Sequence, residues 1–189
     1  VPRRAEYIRV LSGELNRVAS HALFLGWMAL DLGGLTPILW SFIERDEIVD
    51  MLAALTGQRM LFNYFRIGGV NGDINHEFMG RLGDWMGRAT TQIEANAGLL
   101  NENEIFVRRM RGLGKIDSAT ALRMCMTGPN LRATGIPFDV RRAHPYSVFP
   151  ELDFDIPTRD EGDCLARYLV RIDEIKQSIM RISKGMDVT

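Results

Sequence analysis

Cysteine is scarce in this 189-residue sequence: the two, Cys125 and Cys164, lie far apart and in no C-x-x-C pair. That argues against a disulfide framework, a zinc site and a cluster-ligating set. No Ser-His-Asp grouping, phosphate-binding loop or other metal-ligand spacing appears either. The net charge of −1 leaves no nucleic-acid footprint. The longest apolar run, Ala22–Leu30, is bounded by His21 and Asp31 and is too short to span a bilayer. Nothing at the N-terminus reads as a signal peptide, and there is no internal repeat or low-complexity segment.

What is present is apolar content at helical spacing. Hydrophobic residues make up 46% of the chain and charged residues 25%, enough for one helical domain over 1–189 with a real core. Tyr7, Leu11, Leu15, Val18, Ala22, Leu25, Ala29 and Leu32 recur close to a 3.6 period, predicting a long helix from Glu6 to Leu32 that Gly33-Gly34 stops. Thr36 is expected to cap a second helix, with Pro37 in its first turn, running to about Thr56. Gly57 is expected to interrupt that helix before it resumes over Arg59–Phe65. The run from Ile67 to Asp73 reads as a turn-rich loop. Further helices are predicted over Glu77–Asn101, from a Ser118 cap to Met126, and over Asp160–Ser183. Between the last two, Thr127–Pro157 carries five prolines and reads as an ordered excursion, irregular or with a short β element. The predicted fold class is mainly α, a bundle of long helices.

Four pieces stand in order between Asp31 and Asp73: D-L-G-G-L-T-P, then W-S-F-I-E-R-D, then T-G-Q-R-M, then Y-F-R-I-G-G-V-N-G-D. Together they resemble the 49-kDa (D) subunit family of respiratory complex I, which is related to nickel–iron hydrogenase large subunits. Nearly the whole chain takes part: Leu131–Ile136 and Asp139–Tyr146 also follow the family pattern. The resemblance implies a hydrogenase large-subunit-like fold and a central piece of a longer chain. It implies a place beside quinone, next to the terminal iron–sulfur cluster of a neighbouring small subunit, with electron transfer coupled to proton translocation. The implied location is the peripheral arm on the cytoplasmic face of a bacterial or archaeal inner membrane. The chain itself is expected to bind no cofactor or metal and, isolated, to be inactive. Two other readings share most of these residues. One is the large subunit of an energy-converting hydrogenase or an F420H2- or ferredoxin-driven relative, whose Y/F-F-R-I-G-G-V loop is close to this one. The other is a helical scaffold that only docks other chains.

Asp31 is the first candidate for chemistry. It falls in the last turn of the first helix, where the dipole disfavours a carboxylate, and burial there would add to the effect. Either it carries a proton or pairs with a cation, or it merely satisfies N–H groups at the Gly33-Gly34 turn. In the family the matching aspartate partners a histidine of the quinone site. His21 is ten residues earlier, about 15 Å along the axis, too far for a direct dyad. A packing histidine bonded to backbone or to Glu14 is the plainer reading.

Leu61 follows Arg59-Met60 where the family usually places a histidine that takes up a proton when the cluster is reduced. A leucine there predicts a lower, flatter cluster potential, which suits a low-potential quinone such as menaquinone or a donor other than NADH, or else it is a neutral apolar swap in the core. The resemblance implies that Arg66, Gly68 and Gly69 form the interface with the cluster-bearing subunit; the plainer reading is a structural turn. Arg132, Arg141, Arg142 and His144 are expected to pair within the chain, with Asp153, Asp155 or Asp163, or else to face a partner. Arg108, Arg109 and Arg111 read as a solvated or partner-facing patch, and Glu44, Asp46 and Glu47 as one charged helix face.

Overall fold

A computed structural model describes residues 1–186, and the chain is mainly helical as expected. Helix α1 (Arg3–Asp31) is the axis of the molecule. It buries Ile8, Leu11, Leu15, Val18, Ala22, Leu25 and Ala29, one side of the cylinder at steps of three and four. Each of the Ile, Leu and Val side chains taken from water contributes about 1.5–3 kcal/mol. The helix ends in a Schellman turn: Gly34 N–H donates to Ala29 O at 2.8 Å and Gly33 N–H to Leu30 O at 2.9 Å. Gly33 holds φ +93°, which explains the glycine.

Helix α2 (Leu35–Thr56) returns along α1. Its cap is the Gly34 backbone and not the Thr36 side chain, so Pro37 sits in the third helical position. Gly26 lets the two helices close: a Cβ there would lie 3.1 Å from Ile38 Cα and 3.2 Å from Ser41 Cβ. Gly57 ends α2 with φ +75°, and the helix does not resume. Residues 58–63 are irregular, and a two-rung antiparallel hairpin follows, β1 (Phe65–Arg66) on β2 (Gly69–Val70). The predicted Arg59–Phe65 helix is thus absent. Its apolar residues split: Tyr64 is buried in the main core and Phe62 packs against it, while Met60, Leu61 and Phe65 stay exposed.

Helix α3 (His76–Asn101), capped by Asn75, packs on α2 and on the last helix. A short helix α4 (Glu104–Met110), unforeseen from sequence, turns Phe106 and Met110 into the main core. Helix α5 (Ser118–Arg123) is capped by Asp117, one residue before the expected Ser118, because the Asp117 carboxylate accepts from Thr120 N–H at 2.8 Å. The excursion contains no strand; it holds α6 (Gly128–Arg132), α7 (Val140–Ala143) and a 3-10 turn, Phe149–Glu151. Val148, Phe149, Leu152 and Phe154 form a second small core with Tyr7 and Val10 of α1. Helix α8 (Cys164–Met186) closes the bundle against α1 and starts four residues later than predicted.

Candidate functional site

The candidate residues fall into three groups strung along α1. At its C-terminal end stands Asp31, in the last turn as expected but exposed, so the burial foreseen for it is not met within this chain. Arg109 of α4 reaches the same turn and donates through Nη1 to Leu32 O at 3.1 Å. A guanidinium is thereby held one residue from the Asp31 backbone, on a carbonyl the helix leaves unpaired. Arg108 pairs at the surface with Glu104 at 2.6 Å, and Arg111 is exposed.

At the opposite end lies the hairpin. Gly69 comes close to Ala5, Arg4 bonds Asp73 at 3.0 Å, and the Arg9 guanidinium lies 5.3 Å from the Phe65 ring centre. Arg9 and Asp31 are separated by on the order of 33 Å of helix. Asp31 and the Arg66–Gly69 loop are therefore two surfaces and not one pocket. Ile67 at the hairpin tip is fully exposed and Leu61 is 80% exposed. Gly68 takes φ +87°, and Arg66 bonds Asn63 beside it. Arg59 clamps Asp46 and Asp50 of α2 and so ties down the start of this segment. Asp46 and Glu47 do lie on the charged face, Glu47 pairing with Arg88. Glu44 does not: it is 6% exposed, and its Oε2 accepts from Trp85 Nε1 at 3.1 Å. Burial, and then the Glu47 charge, push its carboxyl above the ordinary carboxylate value.

Between the two ends is a buried ionic network; the internal pairing of Arg132 and Arg141 is expected from the sequence, but not their partners or the network they build. Glu14 of α1 accepts from Arg141 Nη1 at 2.8 Å, Arg181 Nη1 at 2.8 Å and Arg17 Nη2 at 2.9 Å. Glu174 of α8 accepts from Arg132 Nε at 2.7 Å and meets His21 Nε2 at 2.9 Å. Asp139 caps α7 and holds Arg141 through both carboxylate oxygens. His21 is thus a packing histidine, but its partner is Glu174, not Glu14. Burial above all keeps its pKa below the ordinary 6.5, so the ring is neutral and donates from Nε2. Burial would push the Glu174 carboxyl up, but the His21 hydrogen bond and the Arg132 guanidinium outweigh it and bring it down to about 2. Asp139 reaches about 2 in the same way, with Arg141 the chief opponent of burial. Arg132 and Arg141 do pair within the chain, though with Glu174, Glu14 and Asp139 in place of Asp153, Asp155 or Asp163. Asp163 instead accepts from Gly112 N–H at 2.7 Å. The sequence cue to its partners is an acid within the apolar face of α1 and of α8: Glu14 between Leu11 and Leu15, Glu174 between Ile172 and Ile175.

Residues 31–188 match the sequence model of the respiratory-chain NADH dehydrogenase 49-kDa subunit family. The chain belongs to that family. It is 43% identical to the NADH-quinone oxidoreductase D 2 subunit of Opitutus terrae, over the whole chain and 47% of that relative. It is 43% identical to the NADH-quinone oxidoreductase D subunit of Salinibacter ruber, over 99% of the chain and 42% of the relative. For the D subunit of Syntrophobacter fumaroxidans the figures are 43%, 99% and 50%. The chain thus spans about half the length of these 49-kDa-family relatives. Among the described residues, no helix is long and apolar enough to cross a membrane, and no group of His, Cys, Asp and Glu side chains is placed to hold a metal ion.

Proposed function

We propose that this chain forms part of the quinone-reducing subunit of a complex I-type oxidoreductase, with Asp31 in the path that supplies protons to quinone. The observation that carries the reading is the family match, which begins at Asp31 itself. The relatives' shared name, NADH-quinone oxidoreductase, supplies quinone as the electron acceptor. Asp31 stands in the last turn of α1, on the open surface of this chain, where a proton acceptor can meet both water and a substrate. Arg109 holds that helix end in place.

The apolar, exposed segment Met60, Leu61, Phe65 and Ile67, with Arg66 as its cation, is the surface that docks on the cluster-bearing subunit. Electrons then arrive from that neighbour's iron–sulfur cluster, and this chain contributes binding, orientation and protons. The surrounding enzyme works at the cytoplasmic face of the membrane, and Leu61 suits a low-potential quinone such as menaquinone. The exposed docking segment favours this reading over a scaffold without redox partners only together with the family match. The test is photolabelling of the assembled enzyme with an azido-substituted quinone. Label on the peptide containing Asp31, displaced by unlabelled quinone, is expected. Undisplaceable label, or label confined to other chains of the enzyme, contradicts the proposal.

A further inference from the structure

The buried network forms the floor of a cleft of about 920 Å³ between α1, the hairpin and the excursion. Its charges do not balance. Four guanidinium groups, Arg17, Arg132, Arg141 and Arg181, face three carboxylates, Glu14, Asp139 and Glu174, and His21 is neutral. The rim pair adds nothing to the count, because Glu6, which accepts from Ser147, offsets Arg9. The surplus is a buried positive charge, which is costly without a counter-ion. Arg17 and Arg181 show it locally: the buried Nε of each has no hydrogen-bond partner among the described residues. Burial also lowers the pKa of both, as expected of cations without enough anion.

The floor is open above Arg17. Gly13 stands one helical turn before it and lines the cleft, and a Cβ there would touch nothing within 4 Å. The rim is apolar and unburied: Phe65, Phe138, Val140 and Tyr146 are 38% to 52% exposed and all line the opening. Cationic donors below an apolar rim fit a molecule with an oxyanion at one end and an apolar body at the other.

We propose that this cleft binds an amphiphile headed by a carboxylate or phosphate, its head against Arg17 and its body along Phe65, Phe138 and Tyr146. The proposal is independent of the role given to Asp31. The test is thermal unfolding and calorimetric titration of the chain with decanoate, decyl phosphate, decanol and sodium chloride, all below micelle-forming concentrations. Decanoate and decyl phosphate are expected to bind and to raise the melting temperature, while decanol and chloride do neither. The tighter of the two anions identifies a fatty-acid-like or a phosphate-ester ligand. Gly13→Asp places a carboxylate one turn from Arg17, and Gly13→Asn is its uncharged control. Affinity for the anions is expected to fall by about tenfold or more in Gly13→Asp relative to Gly13→Asn, a difference of about 1.4 kcal/mol. Arg17→Gln is expected to lose the same binding. Decanol binding as well as decanoate, anion binding equal in the two Gly13 variants, or no anion binding overturns the proposal.

Discussion

Single side chains carry three of the expectations. Leu61 is 80% exposed on the segment proposed to face a cluster, so nothing at that position titrates. The midpoint potential of the neighbouring cluster in the assembled enzyme is expected to stay flat with pH, and Leu61→His is expected to give it a slope. A slope near one proton per electron in the unaltered enzyme sinks the idea. Glu44 is buried against Trp85 with its carboxyl titrating above the ordinary 4.5. A raised folded-state value means that its contribution is fully present below pH 4.5 and is lost as pH rises through the folded value. Glu44→Gln keeps an acceptor for Trp85 Nε1 and removes the titration. Chemical denaturation is expected to show the variant at least as stable as the unaltered chain at pH 8, with the advantage gone at pH 4. Gly33→Ala forces an L side chain into φ +93° and is expected to cost about 1–2 kcal/mol by the same measurement.

Elements differ in how plainly the sequence announces them. Helices α1, α3 and α8 follow from period, because each packs an apolar stripe into one core, whereas α2 leaves Leu39, Trp40 and Ile43 exposed, buries Ser41 and Glu44, and is announced by its flanking glycines. The hairpin at Phe65–Val70 reads as loop and helix in the sequence because only two rungs form and, of its side chains, Val70 packs on the core while Phe65 and Ile67 stay exposed. The excursion is legible as ordered but not as helical, since α6 and α7 are too short to show a period. The ionic network is hidden for another reason. Its members come from residues 14 to 181, and only the fold brings α1, α8 and the excursion together. That network fixes how the excursion sits, so acid is expected to release it. Glu174 and Asp139 both titrate near 2, below their ordinary 4.5 and 3.8. Depressed values give stability that is present above those ordinary values and lost as pH falls through the folded ones. Amide exchange in residues 128–154 is expected to accelerate between about pH 4.5 and 2, and Glu174→Gln, leaving Arg132 poorly paired, to cost on the order of 3 kcal/mol at pH 7. Unchanged exchange across that window contradicts the role given to the network.

Across the whole molecule, α1 works as a ruler. It separates the end that carries Asp31 from the end that meets the hairpin, with the charged cleft between them. The family signature from Asp31 to Asp73 reads as one block in the sequence, yet in the fold it runs up one helix end, back along α2 and out to the far surface. Its two halves are proposed to serve different tasks, and single substitutions are expected to separate them. Ile67→Asp should weaken docking of the cluster-bearing subunit and leave Asp31 untouched. The most direct measurement is the assembled enzyme carrying Asp31→Asn, assayed for electron transfer to quinone and to an artificial acceptor that takes electrons upstream of it. The account predicts intact assembly, unchanged transfer to the artificial acceptor and quinone reduction lowered by about a hundredfold, the range lost with one positioned proton donor. Quinone reduction at the unaltered rate in a fully assembled enzyme would contradict it.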